Sequence, residues 1–185
     1  MSEILTLPVF TQYMERPMPP GGRDDLVRQS INEFITNYCG RNFDAGSYVD
    51  KITIVDHYRK KFFVKNPPIR AVTSIQVGRP PSSTWTTDQY FIEDADIGLV
   101  CTVASYLLIG PEMYTITYDG GMLVIPLDLK LMACSIAARE AEKAAKGRHG
   151  LGQRQVGFGG NELFVRDLEV TEQRVLDSYR MSLWP

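Results

Sequence analysis

The sequence predicts an α+β fold: a small helical bundle with an inserted antiparallel β-rich segment, an extended N-terminal arm and a C-terminal docking helix. Three observations predict it. Apolar residues recur at the helical period over about 24–39, 127–146 and 169–183. Between about 48 and 125 they alternate instead in short runs set off by turn residues. The connections between those runs are too short for crossover helices, so the strands pair antiparallel. With 185 residues, 44% apolar and 23% charged, the chain has an ordinary globular composition that supports a real core. We count a single domain over 23–185, preceded by the arm at 1–22.

Residues 1–22 hold four of the eleven prolines, Pro8, Pro17, Pro19 and Pro20, and the pair Gly21 and Gly22, which predicts an extended arm rather than a continuous helix. Ile4, Leu5, Leu7, Val9 and Phe10 are too many apolar residues for a free tail. Two readings are open, an arm laid along a neighbouring subunit and a disordered terminus. Asp24 or Asp25 caps the next helix, whose Leu26, Val27, Ile31, Phe34, Ile35 and Tyr38 face a core until Gly40 stops it in a left-handed conformation. Arg28, Gln29, Asn32, Glu33 and Asn37 fall on its opposite side, where they are expected to be exposed or used in subunit contacts.

In the β-rich segment, Lys51 to Val55 and Phe62 to Lys65 bracket His57, Tyr58, Arg59, Lys60 and Lys61 and read as a hairpin with a charged tip. Ala71 to Val77, Gln89 to Glu93, Leu99 to Val103 and Met113 to Tyr118 are further strands. Ser82 to Thr84 read as a polar loop, with Trp85 a packing residue at the sheet edge. The last strand carries Tyr114, Ile116 and Tyr118 on one face and ends at Asp119, Gly120 and Gly121. Pro126 then starts a helix, with Asp128 near the positive end of its dipole. From Leu127 to Ala138 this helix is apolar nearly all round, so it is expected to be buried on most sides, whereas its second half is solvated.

Residues 147–160 form a flexible, Gly-rich loop. From Lys143 to Gly160 there are four cations, Lys143, Lys146, Arg148 and Arg154, no carboxylate and six glycines. A solvated loop and a loop facing a phosphate-bearing or acidic surface both fit that pattern. In the last helix Val175, Leu176, Tyr179 and Leu183 form one stripe, which reads either as core or as a face docking on a partner, and the chain goes on to Leu183, Trp184 and Pro185, with a large aromatic of the kind that anchors interfaces.

Tyr38 to Asp44, the strand Asn66-Pro67-Pro68-Ile69-Arg70 through Val77, the strand end Tyr118 to Gly121 and the Pro126-initiated, Ala-rich helix occur in an order and spacing that resembles the head-tail connector (adaptor, or head completion) proteins of tailed bacteriophages. The resemblance spans roughly Leu26 to Tyr179. One departure is the start: that family opens with a helix rich in Leu and charged residues, and this chain opens with Leu7-Pro8-Val9-Phe10. The resemblance implies a structural protein of the virion neck, assembled in the host cytoplasm: a homo-oligomeric, dodecameric ring under the portal protein. Such a ring extends the DNA channel and supports stopper or tail proteins. On this reading Leu176, Tyr179, Arg180, Leu183 and Trp184 dock on the portal. Lys146, Arg148 and Arg154 meet portal or lumen, and His57, Tyr58, Arg59, Lys60 and Lys61 make a subunit or tail-side contact. DNA passes through the lumen without sequence-specific binding, as a net charge of −2 permits.

Catalytic chemistry is not indicated. His57 sits in a charged tip and His149 among glycines, each without a recognisable partner. HExxH, GxSxG and Cys/His zinc spacings are absent, and Gly150 to Gly160 match neither a P-loop nor GxGxxG. Glu93, Asp94 and Asp96 lack the ligand alternation of a calcium loop. No enzyme activity, cofactor or metal is therefore expected. Cys39, Cys101 and Cys134 are odd in number and far apart, reading as small packing residues rather than a disulfide framework. The sequence has no run of eighteen apolar residues and no basic-then-apolar leader, so neither a membrane nor secretion is expected. The alternative function is a small nucleic-acid-binding accessory protein of genome packaging that uses the basic loop.

Overall fold

The computed structural model describes residues 3–54, 58–78, 83–103, 108–109, 112–145 and 168–180. Where the sequence reading counts one domain after the arm, the chain divides into two compact units. One is helical, built from residues up to Phe43 and from Val124 onward, and the other is the inserted β-rich unit Asp44–Leu123. Among the described residues the helical unit contains α1 (Leu7–Met14), α2 (Arg23–Cys39), α3 (Leu127–Ala145) and α4 (Val170–Tyr179).

Helix α1 corrects the expected extended arm. Pro8 falls in its first turn, where the missing N–H costs nothing, so only the prolines from Pro17 onward interrupt helix. Ile4, Leu5 and Phe10 are fully buried within the chain, which also corrects the reading that these residues lie on a neighbour or are disordered. Helix α2 is capped differently from expectation. Its N-cap is Gly22 with no side-chain bond, while Asp25, in the first turn, reaches back to accept from the Gly21 N–H at 2.8 Å. Gly40 stops the helix in the left-handed region, at φ 67°. On α3, Leu129, Met132, Ala133, Cys134, Ile136 and Ala137 are buried as the pattern predicts, but Leu127 and Leu131 are exposed, and Ala141, in the half expected to be solvated, is buried.

Among its described residues the β-rich unit forms three antiparallel sheets. The strands are β1 (Gly46–Ile54), β2 (Tyr58–Arg59), β3 (Lys61–Phe63), β4 (Ala71–Val77), β5 (Ser83–Trp85), β6 (Tyr90–Asp94), β7 (Leu99–Thr102), β8 (Leu108–Ile109) and β9 (Glu112–Gly120). They are ordered β1-β9-β4-β5, β2-β8 and β3-β7-β6. Strand β9 is the centre: Tyr48 and Val72 flank Tyr118 in register, and Ile75 pairs with Ile116. Tyr114, Ile116 and Tyr118 join Phe62, Val64, Ile69, Ile75, Val77, Tyr90 and Val100 in one core. Trp85 packs edge-on against Tyr114 at 5.8 Å, on the edge strand β5 that the sequence reads as polar loop.

The expected hairpin of 51–55 with 62–65 does not form. Strand β1 pairs with β9, β2 with β8 and β3 with β7, so the two segments belong to different sheets. Strand β9 also runs past its predicted end at Tyr118, because Asp119 pairs with Ser47 on one side and Ala71 on the other. The chain turns only at Gly121, whose φ is 78°. A Cβ there would collide with the Asp44 carbonyl, so glycine is needed for both conformation and space.

The β core encloses a polar group that is fully satisfied. The buried Tyr118 hydroxyl donates to Asp50 Oδ2 at 2.9 Å and accepts from the Asn66 backbone N–H at 3.0 Å. Asp50 Oδ2 accepts a further bond from the Lys65 N–H at 2.7 Å. Burial, and then the Asp50 charge, push the Tyr118 hydroxyl well above its ordinary pKa, so it remains a donor. This network ties the segment entering Pro67 to β1 and β9.

Candidate docking surface on the helical unit

Helix α4 owes its position to polar anchors at each end and one apolar residue between them. At its start a capping box is complete, with Glu169 and Glu172 bonding reciprocally. The buried Glu172 then receives two bonds from Arg139 of α3, both at 2.9 Å, and a third from Ser135 at 3.3 Å. Its bonds to Glu172 hold the Arg139 guanidinium pKa above the ordinary value. Such a bidentate pair fixes orientation as well as distance. In the middle, Leu176 is fully buried, and its carbonyl accepts a weak bond from Cys39 Sγ at 3.7 Å.

The far end of α4 is held by aromatic hydroxyls. Tyr179 donates to both oxygens of Asp128, at 2.8 and 3.0 Å, and its ring meets Phe43 edge-on at 6.2 Å. Tyr38 of α2 donates to Asp177 at 2.7 Å, and the Arg180 guanidinium lies over the Tyr38 ring at 5.5 Å. Burial first, and the bond to Asp128 second, push the Tyr179 hydroxyl up to about 12. The Tyr38 hydroxyl is raised by burial and by Asp177 in the same way. Neither group ionises near neutral pH, so the cluster acts as a clamp, not as an acid or base.

A second clamp, whose residues the sequence does not single out, holds the N-terminal segment on α2. Asn32 accepts from the Leu5 N–H at 2.8 Å and donates to the Leu5 carbonyl at 3.0 Å. Arg28 donates to the same carbonyl at 2.7 Å, to Glu3 at 2.9 Å and to Asp25 at 2.8 Å. Arg28 and Asn32, expected to be exposed or used in subunit contacts, are both buried within the unit, while Leu26, expected in the core, is exposed. The exchange is physical: a backbone segment presenting a bare N–H and C=O needs polar partners, and these two side chains supply them. The bond from the Gly21 N–H, and then Arg28, hold the Asp25 carboxyl below its ordinary pKa. Its one signal in the sequence was the excess of apolar residues at 4–10.

The predicted contact residues separate as follows. Leu176 is buried within the unit, and Tyr179 is half-buried and bonded within it. Arg180 is exposed. Lys146, Arg148, Arg154, His57, Leu183 and Trp184 lie outside the described residues, as does the whole loop 147–160. Tyr58 and Arg59 form β2 with their backbones, and Lys60 gives its carbonyl to the Thr102 N–H at 2.8 Å. Lys61 is paired with Glu93 at 2.7 Å. Thus 58–61 are not the tip of one hairpin. Among the described residues no group of three His, Cys, Asp or Glu is placed to hold a metal, and no helix is long and apolar enough to cross a membrane.

Comparison with known proteins extends these observations. A family model described as head completion protein matches residues 3–181. Among solved structures, a chain in the neck of an empty gene transfer agent (GTA) particle, computed with C6 symmetry, superposes with a TM-score of 0.63 at 11% identity, covering 98% of this chain and 92% of that one. A chain in the virion of a native GTA particle gives 0.63 at 12% identity, covering 98% and 92%. One in the neck of a native GTA particle, computed with C12 symmetry, gives 0.58 at 12%, covering 97% and 91%. At this identity the likeness is one of fold. No curated protein matches the chain.

Proposed function

Because the chain belongs to the head completion protein family, we propose that it is a structural subunit of a virion neck, a head-tail adaptor that docks under a portal and carries the next neck component. The observation that carries this reading is a family match from 3 to 181, made by a chain whose fold is shared with neck proteins over nearly its whole length. It works by geometry and performs no bond-making chemistry. Copies of the chain close a dodecameric ring through heterologous contacts, a reading supported by the C6 and C12 symmetry of the GTA necks. The ring continues the DNA channel. A chain with net charge −2 lets DNA slide, where dense phosphate contacts would hold it. The upper side meets the portal and the lower side a stopper or tail protein. In this scheme the loop bearing Lys146, Arg148 and Arg154 faces portal or lumen, and 57–61 contribute to a subunit or tail-side contact.

In this scheme the portal contact falls on Arg180, at the end of α4, and on Leu183 and Trp184 of the sequence that follows. A cut before Leu176 would remove a core residue, so the informative truncation stops the chain after Arg180 and keeps Leu176, Tyr179 and their partners. The truncated subunit is expected to keep its helical content by circular dichroism and to lose attachment to the portal in a pull-down. Retained attachment refutes the tail as the docking element. Electron microscopy of the full chain mixed with its portal tests the function itself, with a ring added at the portal's tail-side face as the expected result. No added ring, together with a salt-dependent gel shift on DNA, would replace the adaptor with a packaging accessory protein.

A further inference from the structure

Helix α4 joins the helical unit by a different kind of contact from the helices it packs on. Among their fully or nearly buried apolar residues α2 has Ile31, Phe34 and Ile35, and α3 has Leu129, Met132 and Ile136. Of the ten residues of α4 only Glu172 and Leu176 are buried, with Val175 and Tyr179 half-buried. Most of what holds it is polar. A helix of this length does not persist alone in water, so α4 is helical because it is docked.

The polar contacts differ in what their loss involves. Tyr179 bonds Asp128 and Tyr38 bonds Asp177, and both carboxylates are exposed. Water can replace a partner at an exposed group, so these bonds give direction with little net free energy. The Arg139 side chain is 26% exposed and can rehydrate in the same way, whereas Glu172, at 6%, is a buried charge only while α4 is docked. Burial of Leu176 and the pairing of Glu172 therefore carry most of the docking, against the entropy of ordering the whole helix. Elements with few buried apolar side chains and exposed hydrogen bonds open below the free energy of global unfolding.

We infer that α4 is a latch: it undocks and melts as a unit while α1, α2 and α3 stay folded. The rest is held together without it. Helices α2 and α3 pack on each other directly, and the N-terminal segment is held on α2 by Arg28 and Asn32. Opening frees the Tyr38 hydroxyl, Asp128, Ser135 and the Arg139 guanidinium, each engaged by α4 in the closed state. It also takes the Leu176 carbonyl away from the Cys39 thiol. These groups form a surface that the unit offers only while α4 is away. The latch is a property of the single chain and does not rest on the neck reading.

Hydrogen exchange by mass spectrometry on the full chain, along a urea series, tests it. The α4 amides are expected to exchange at least about tenfold faster than those of α3. Their rates should also depend less on urea, because opening α4 exposes less surface than unfolding the unit. Asn32→Ala removes bonds to Leu5 that the open state keeps, so it should speed exchange in α3 roughly 5- to 160-fold and leave α4 unchanged. Glu172→Gln removes the buried charge at nearly constant size, and should speed α4 exchange about tenfold or more. Equal rates and equal urea slopes for α4 and α3 in the unmodified chain overturn the inference, whether or not either variant folds. So does acceleration of α4 together with α3 in Asn32→Ala, or an α4 unaffected by Glu172→Gln. Exchange of α4 at the rate of an unstructured peptide overturns it as well, since no closed state would then exist.

Discussion

Replacing Asn32 by alanine tests whether the N-terminal segment is held by a polar clamp rather than by apolar packing alone. Asn32 makes two bonds to Leu5, one accepted from its N–H at 2.8 Å and one donated to its carbonyl at 3.0 Å. Leu5 has no exposed surface. In Asn32→Ala the carbonyl keeps the Arg28 bond at 2.7 Å, but the Leu5 N–H loses the partner that satisfies it. An orphaned buried donor costs about 1–3 kcal/mol, and the loss of the Asn amide adds a small cavity. The urea midpoint should fall by an amount equivalent to about 2 kcal/mol. The Leu5 amide should exchange roughly 5- to 160-fold faster when the same energy is read as local opening. Hydrogen exchange by mass spectrometry on the N-terminal peptide reads the second quantity and chemical denaturation the first. Glu33→Ala, an exposed neighbour, serves as control and should stay within about 0.5 kcal/mol of the unmodified chain. If Asn32→Ala changed neither the midpoint nor the exchange of Leu5, apolar burial of Ile4, Leu5 and Phe10 would be sufficient and the clamp argument would be wrong.

Other outcomes follow from the same geometry. Gly40 and Gly121 both have positive φ, at 67° and 78°, but a Cβ at Gly40 meets open space and one at Gly121 meets the Asp44 carbonyl. Gly40→Ala should cost about 1 kcal/mol, and Gly121→Ala considerably more, by urea denaturation. Asp25 has a folded-state pKa below its ordinary value of 3.8, so its contribution to stability is full above that value and is lost as pH falls through the folded value. Asp25→Asn should therefore flatten the acid limb of the stability-pH curve, the gap to the unmodified chain shrinking below pH 3.8; an unchanged limb counts against the assignment. Leu176→Ala should lose about 2–5 kcal/mol, against little for Arg180→Ala, as measured by thermal or urea unfolding. Burial holds the Cys39 thiol at about 12 and those of Cys101 and Cys134 at about 11. All three should react with a disulfide reagent at pH 8 only after denaturation, and a fast-reacting thiol in the native chain would contradict their burial.

Features set by neighbouring residues were legible in the sequence. Gly40 ends α2, Pro126 precedes α3, and the alternation of Tyr114, Ile116 and Tyr118 places all three in the β core. Each depends on local backbone chemistry or on a period. Features set by a distant partner were not legible. Arg28 and Asn32 read as solvent-facing by residue type, and only the Leu5 backbone, more than twenty positions away, makes burying them favourable. The charged stretch 57–61 read as a hairpin tip because the nearest strand is the default partner. Strand β1 instead pairs with β9 in a register that sets Asp50 beside Ile116 and within reach of the Tyr118 hydroxyl. A carboxylate at an inward position then costs little, since that hydroxyl and the Lys65 N–H both bond it. Val49 and Lys51, its neighbours in the strand, are exposed, so a slip by one residue would bury the lysine and expose the carboxylate.

The same distinction limits what a helical stripe says about docking. Leu176 and Tyr179 sit at the spacing of an apolar face, and that spacing does not tell whether the face meets its own chain or another. The structure decides it through polar contacts: Glu172 on Arg139, Asp177 on Tyr38 and Tyr179 on Asp128 fix the rotation of α4 about its axis. With three directional anchors on two helices, Leu176 has one place to go, and it is the interior. A partner that engaged Leu176 would have to break these bonds and expose the leucine first. A partner that engages Arg180 leaves these three anchors in place and competes with the stacking of Arg180 on Tyr38, an exposed contact of about 0.5–1 kcal/mol. The exposed end of α4 is therefore the part of this helix that another protein can bind without unfolding the unit it belongs to.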